Sequence, residues 1–168
     1  MKQSTVRRLV NVTLALMLCS LLWLGWRQPG LAPRTSTTLT DLNPNQVNTI
    51  RLTGPEAADL ELRRGAQGWQ LKAPAELPVN PEQMHDLLSI AKAQTFASYD
   101  AARVDLGALG LTPAMTTLWL DEVSIGFGDR APVEGYRYVR TGQHLDLISN
   151  AHFHTVNQNL AAFVSPRL

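Results

Sequence analysis

The sequence predicts an α+β fold, in which one domain of antiparallel strands with two helices, in the order strands–helix, strands–helix, follows a single N-terminal transmembrane helix. Three observations support this prediction. Several short segments alternate apolar and polar residues, as half-buried strands do. Two further segments repeat apolar residues at helical spacing. Residues 9–26 contain no charged side chain.

Residues 9–26 form the predicted membrane anchor. As a helix, this run would rise roughly 27 Å, which is close to the hydrocarbon thickness of a bilayer. Lys2, Arg7 and Arg8 precede it, so the N-terminus should stay in the cytoplasm and the domain should lie in the periplasm, on the outer side of the inner membrane. The residues expected to hold the helix in the lipid are Leu9, Leu14, Leu18, Leu22, Trp23 and Trp26.

Two other interpretations of this segment stay open. A cleaved signal peptide would use the small residues Gly30 and Ala32, but a proline follows directly at position 33 and disfavours the cut. A lipoprotein signal would acylate Cys19, the only cysteine in the chain, yet Leu18 stands where a small residue is needed. A retained anchor is therefore the favoured interpretation, and no disulfide is expected in the exported domain.

The predicted organisation has four parts. Residues 1–8 form a cytoplasmic tail, residues 9–26 the anchor, residues 27–40 a flexible linker rich in proline and hydroxyl residues, and residues 41–168 the extracytoplasmic domain. The net charge of the chain is only +1. Nucleic acid is therefore not an expected partner, because phosphate binding requires a clustered basic surface.

The first half of the domain reads as three strands and a helix. Alternation in "VNTIRLTG" and "ADLELRRG" predicts a strand pair, and "GWQLKAP" predicts a third strand. Pro74 and Pro78 should prevent further regular pairing. In "NPEQMHDLLSIAKAQ", Asn80 is the expected N-cap of a helix, with Pro81 at its first position and Gln83 closing a capping box.

The second half reads as two hairpins and a helix. "TTLWLDEVSIGFG" should turn near Asp121 and Glu122, and "YRYVRTGQHLDLIS" near Thr141 and Gly142. A loop through "VDLGALGLTP" precedes them. The segment "NAHFHTVNQNLAAFVSP" predicts one helix capped by a residue at 149 or 150. Its expected apolar stripe is Phe153, Val156, Leu160, Phe163 and Val164.

The order of these motifs resembles that of the bacterial domain-of-unknown-function family DUF4340. The matching segments are "GWQLKAP", "PVNPEQMHDLL", "LGLTP", "VSIGFGD", "YRYVR" and "LDLIS", which lie between about residues 47 and 163. The resemblance implies a membrane-anchored envelope protein, in some cases an accessory of an ABC transporter. It supplies no catalytic residues, and this chain holds a single copy of a domain that is often repeated.

No catalytic, metal or cofactor site is predicted. His152 and His154 are two residues apart at a helix start, so their side chains point in different directions rather than toward one metal ion. Ser124, in "VSIGFG", lacks the preceding glycine and the strand-to-helix turn of a nucleophile elbow.

The segment "EGYRYVR" is the favoured binding surface. On a strand, Tyr136, Tyr138 and Arg140 share one side, and Arg137 shares the other with Val139. Tyrosine and arginine are enriched in binding hot spots, and Trp119, which alternates away from its leucine neighbours, could extend the surface. The competing interpretation is that the tyrosines belong to the core and the arginines cover them.

The sequence therefore predicts a non-enzymatic periplasmic module. The lipid bilayer holds its anchor, and its domain binds an envelope protein partner or assists a transporter complex. One alternative is a domain that binds a glycan or a lipid. Another is a small envelope hydrolase whose histidine and carboxylate groups are brought together only by folding.

Overall fold

Nine strands form one antiparallel sheet in the order β4-β3-β2-β1-β6-β7-β8-β9-β5. The computed structural model describes residues 38–54, 59–66, 68–74 and 76–164. The strands are β1 Thr49–Thr53, β2 Leu60–Gly65, β3 Gly68–Ala73, β4 Leu77–Pro78, β5 Thr95–Asp100, β6 Thr116–Leu120, β7 Val123–Arg130, β8 Tyr136–Thr141 and β9 His144–Ser149. The α-helices are α1 Pro81–Ser89, α2 Ala151–Val156 and α3 Leu160–Phe163.

The sheet consists of two antiparallel meanders joined by one strand pair. Strands β1 to β4 form the first meander and strands β6 to β9 the second. Pairing of β1 with β6 joins them, with Ile50 opposite Leu120 and Leu52 opposite Leu118. The α+β class and the antiparallel strands predicted from the sequence are therefore confirmed, and both groups of strands belong to a single sheet.

The main core lies between one side of the sheet and the helices. Alternation along each strand sends the buried apolar side chains to this side, where they meet the apolar stripes of the helices. The largest fully buried members are Phe127, Phe163, Ile50, Leu52, Leu60, Leu62, Leu71, Leu87, Ile90, Leu118, Leu120 and Ile125. We call this side of the sheet the helix side and the opposite side the open side.

Helix α1 begins as predicted, except at its capping box. The Asn80 side chain accepts a hydrogen bond from the Glu82 N–H at 3.0 Å, and Pro81 is the first helical residue. The predicted capping box is wrong, because Gln83 Oε1 has no hydrogen-bond partner among the described residues. The Asn80 N–H donates instead to the Phe163 carbonyl, which ties the start of α1 to the end of α3.

Two further expectations need correction, and one strand was not predicted. Pro78 does pair, as half of the two-residue edge strand β4, where a residue without an N–H is tolerated. The segment that follows α1 contains strand β5, which was not predicted. The single C-terminal helix is two short helices, because Asn159 is extended and caps α3 through its side chain.

The predicted anchor at 9–26 lies outside the described residues. Among the helices that the structure describes, none has the length and apolar character needed to cross a membrane.

Candidate functional site

The described residues cover the open side of the sheet over only part of its width. After β5 the chain runs through two short 3₁₀ turns, Ala101–Arg103 and Gly107–Leu109, before it enters β6. We call residues 101–115 the connector. Its side chains form a second, smaller core with the open side of β5, β8 and β9, in which the buried members are Ala101, Leu111 and Leu145.

Two glycines of β7 allow the connector to lie against the sheet. A Cβ atom at Gly128 would overlap the Leu109 carbonyl oxygen and come within 2.7 Å of Leu111 Cγ. A Cβ atom at Gly126 would instead make an ordinary contact, 3.4 Å from the Cβ of Ala114. Glycine is therefore required at 128 for the close approach of the connector, and position 126 forms the floor of the space beside it.

That space is a shallow groove of about 400 Å³. It lies where the cover of the connector ends, so its walls come from the connector on one side and from strand side chains on the other. The lining residues are Leu111, Ala114, Thr117, Trp119, Ser124, Gly126, Arg140 and Gly142. Two of them, Trp119 and Arg140, are exposed and belong to the predicted binding surface.

The register of the strands fixes the order of the groups along the groove. Arg51 lies opposite Trp119 in the pairing of β1 with β6, and Trp119 lies opposite Ser124 in the next pair. Directly opposed residues of an antiparallel pair project to the same side. Arg51, Trp119 and Ser124 therefore form a row across three strands on the open side.

Arg140 belongs to the next row. It lies opposite Gly126 in the pairing of β7 with β8, two residues beyond Ser124 along β7. The Arg140 Nε–H donates to the Gly142 carbonyl at 3.1 Å, and this hydrogen bond orients the guanidinium beside the turn. We call Arg51, Trp119, Ser124 and Arg140, with the groove between them, the groove surface.

Arginine side chains and one carboxylate lie on or beside the groove surface. Glu61 lies opposite Arg51 in the pairing of β1 with β2, and it accepts a hydrogen bond from the Arg63 Nε–H at 2.7 Å, so the charges of Glu61 and Arg63 are paired. Among the described residues, no carboxylate lies within 4.0 Å of the nitrogens of Arg51 or Arg140. Both exposed guanidiniums can therefore meet an anionic ligand.

The five predicted site residues occupy three different environments. Trp119 and Arg140 come together in the groove. Tyr138 is half-buried and packs with the small core beneath the connector. Tyr136 lies at the other end of β8, where its ring centroid is 4.6 Å from that of Phe96 on β5. Only two of the five therefore contribute to one continuous surface.

Arg137 faces the helix side and is buried, with 4% of its surface exposed. Its Nε–H donates to the Asn150 Oδ1 at 2.8 Å, and an Nη1–H donates to the Gly128 carbonyl. Burial lowers the pKa of this guanidinium from its ordinary value, and the nearby Arg130 lowers it further. Because its charge is satisfied inside the domain, Arg137 is not part of the groove surface.

A buried carboxyl on the neighbouring strand β9 also faces the helix side of the sheet. Asp146 is 3% exposed, and burial raises its pKa while a hydrogen bond with Ser98 and the charge of His144 lower it in part.

Within the described ranges, no three histidine, cysteine or acidic residues are grouped closely enough to hold a metal ion. The groove surface presents an indole, hydroxyls and guanidiniums, which can make apolar contacts, hydrogen bonds and ion pairs with a ligand.

Two exposed residues were missed by the sequence analysis. Arg51 alternates with Ile50 and Leu52, and this pattern was the signal that places it on the open side. Phe96 is 58% exposed, but its strand was not recognised. Ser124 was considered only as a nucleophile, whereas the structure places its side chain beside Trp119 in the groove.

The comparisons with known proteins give one match. A family model described as "Domain of unknown function (DUF4340)" matches residues 69–168. No curated protein and no solved structure matches the chain. The matched range runs from strand β3 to the last residue of the chain and contains every residue that lines the groove.

Proposed function

Because this chain belongs to the DUF4340 family, whose description assigns no function, we propose a function from the groove surface itself: the domain is a non-enzymatic module that binds a protein partner. The partner would be part of an envelope or transporter complex. It would dock on the part of the open side that the connector leaves uncovered.

The exposed indole of Trp119 is the observation that carries this proposal. Its neighbours Leu118 and Leu120 are fully buried, whereas Trp119 is 37% exposed on a strand in the middle of the sheet. Tryptophan and arginine, which both line the groove, are among the residues most enriched in binding hot spots. Burial of such a group by a partner stabilises a complex by roughly 1.5–3 kcal/mol.

We further propose that residues 9–26 remain in the inner membrane and hold residues 41–168 in the periplasm. The support is the uncharged run and the basic residues before it. The full-length protein should stay with membranes after an alkaline carbonate wash. A reporter that is active only outside the cytoplasm should give signal when fused to Leu168. Release by carbonate, or an inactive reporter on an intact fusion, would contradict this topology.

The binding function is tested by purifying the full-length protein from detergent-solubilised membranes with its associated molecules. A stoichiometric protein partner should co-purify with the unchanged chain and be lost from Trp119→Ala. His85→Ala is the matched control, because His85 is exposed on α1, on the other side of the sheet. Equal recovery of the partner with both variants would overturn the assignment to the groove.

A glycan is the second candidate ligand. The hydroxyls of Thr117 and Ser124 line the groove beside Trp119, and hydroxyl groups can donate to and accept from a sugar. Under this alternative, a carbohydrate and no protein would co-purify with the unchanged chain. It would also be absent from the Trp119→Ala preparation.

A further inference from the structure

We infer that the segment of the partner that binds the groove surface is an extended acidic peptide. It carries two carboxylates four residues apart, one bound by Arg51 and the other by Arg140. This inference rests on the proposed function, because it names the chemistry of the partner at the same site.

Charge complementarity selects an anionic partner. The open side of β1, β2 and β8 carries three guanidiniums, those of Arg51, Arg63 and Arg140, and the Glu61 carboxylate pairs with the second of them at 2.7 Å. Arg51 and Arg140 are exposed. Guanidinium groups prefer carboxylates because their planar donors match both oxygens, and like charges on a wrong partner would be repelled.

The register sets the distance between the two guanidinium positions. Arg51 is on β1 and Arg140 is on β8, with β6 and β7 between them. Three strand spacings of about 4.8 Å separate these residues by about 14 Å across the sheet, and the offset of two residues along the strands makes the distance between their Cα atoms about 16 Å. Among the spacings that put two side chains on the same side of an extended chain, i and i+4, which spans about 13 Å, comes closest to this distance. A peptide that crosses the strands obliquely can therefore place carboxylates at positions i and i+4 within reach of the two long arginine side chains.

The position of Trp119 predicts which kind of side chain lies between the two carboxylates of the peptide. It is one strand from Arg51 and two strands from Arg140, so its indole lies under the first half of such a peptide. An apolar side chain at position i+2 would lie near the indole, with the groove floor at Gly126 beyond it. The expected segment thus has the pattern acidic, any, apolar, any, acidic.

A single phosphate or carboxylate does not fit these positions equally well. The Cα atoms of the two arginines are about 16 Å apart, so one small anion would contact both guanidiniums only if both side chains extended toward each other. A peptide with fixed spacing meets both. A polyanionic glycan carries repeated carboxylates and is the competing occupant that the experiment must separate.

The test uses the full-length protein in detergent micelles and fluorescently labelled peptides measured by anisotropy. The probe is Gly-Asp-Gly-Leu-Gly-Asp-Gly, with aspartates at i and i+4. The comparison peptides carry asparagine in place of both aspartates, or the two aspartates at adjacent positions. We expect the probe to bind at least about fivefold more tightly than either comparison peptide, since exposed charge pairs contribute up to about 1 kcal/mol each.

Two alanine variants test whether each arginine binds an aspartate of the probe. Arg51→Ala and Arg140→Ala should each weaken binding of the probe at least about threefold and leave the asparagine peptide unaffected, which is a coupling measured by a double-mutant cycle. Arg103→Ala, at an exposed position in the connector, is the control and should bind the probe as the unchanged chain does. Binding should also weaken as salt is raised.

Three results would overturn the inference. The first is equal binding of the aspartate and asparagine peptides, and the second is no advantage of the i, i+4 spacing. The third is Arg140-dependent binding of polygalacturonate in the absence of peptide binding, which would assign the groove to an anionic glycan. The proposed function is tested separately by co-purification. If Trp119→Ala loses the co-purified protein and either of the first two results is also obtained, the proposed function stands and only the acidic motif is wrong.

Discussion

The guanidinium carbon of Arg137 lies 3.6 Å from the centroid of the Phe153 ring. Arg137 is on β8 and Phe153 is on α2, so this cation–π contact ties the sheet to the C-terminal helices. The Asn150 side chain and the Gly128 carbonyl accept hydrogen bonds from the same guanidinium. A charged side chain thus serves as part of the core, at a position that sequence alternation correctly assigned to the side shared with Val139.

Replacement of Arg137 by alanine should destabilise the domain by about 3 kcal/mol. The change removes the aromatic contact and leaves one buried and one partly buried acceptor, the Gly128 carbonyl and Asn150 Oδ1, without this donor. Urea denaturation of the full-length protein in micelles, followed by circular dichroism, measures the loss. A variant that unfolds at the same urea concentration as the unchanged chain, yet fails to bind the partner, would return Arg137 to the binding surface.

Tyr138 and Arg140 share one side of β8 but should respond differently to alanine. Tyr138→Ala should cost about 2 kcal/mol of stability, because its ring packs against the connector. Arg140→Ala should stay within about 0.5 kcal/mol, because the side chain is exposed. A variant that carries both substitutions therefore changes folding as well as binding, whereas the single Arg140→Ala variant isolates binding. Equal loss of stability in both single variants would contradict this division.

The close approach of the connector predicts different costs at two glycines. Gly128→Ala should destabilise the domain by about 1–3 kcal/mol, because its Cβ would overlap Leu109 and Leu111. Gly126→Ala should stay within about 1 kcal/mol, since its nearest neighbour is at 3.4 Å. Thermal unfolding compares the two variants. A more harmful substitution at 126 than at 128 would show that the connector does not lie against β7 as described.

The raised pKa of Asp146 predicts that the stability of the domain depends on pH. Burial raises its pKa in the folded chain, whereas in the unfolded chain it titrates near pH 4. As pH rises between these two values, the unfolded state releases its proton first, so the carboxyl lowers stability at neutral pH.

Asp146→Asn should therefore unfold at a higher temperature than the unchanged chain at pH 7, and this advantage should shrink as pH falls toward 4. Asparagine can still accept the hydrogen bond from Ser98. Melting curves across this pH range provide the measurement, with Asp105→Asn, at an exposed connector position, as the control. An Asp146→Asn variant that is less stable at pH 7 would contradict a costly buried charge.

The sequence predicted elements whose burial follows a simple period. Ile50, Leu52, Leu60 and Leu62 alternate strictly, and their strands pair as expected. Asn80 and Pro81 supply local chemistry that starts a helix wherever the helix packs. Such features are determined by residues that are close in the sequence, which is why they could be predicted.

Features set by distant contacts were missed. Strand β5 contains a register shift between Thr95 and Ala97, so its apolar residues do not alternate and its pairing with β9 depends on a partner far along the chain. The side of Arg137 was predicted correctly, but not its burial, because a charged residue is normally exposed. The groove depends on where the connector ends, and neither composition nor spacing gives that position.

The most direct test of the binding account is photo-crosslinking in cells that make the full-length protein. A photoreactive phenylalanine analogue at position 119 should form one discrete protein adduct, and Arg140→Ala in the same chain should reduce its yield at least about fivefold, as expected for a hot-spot residue. The same analogue at position 85, on the helix side, should not form this adduct. Equal adducts at both positions, or a yield unchanged by Arg140→Ala, would contradict a partner bound at the groove surface.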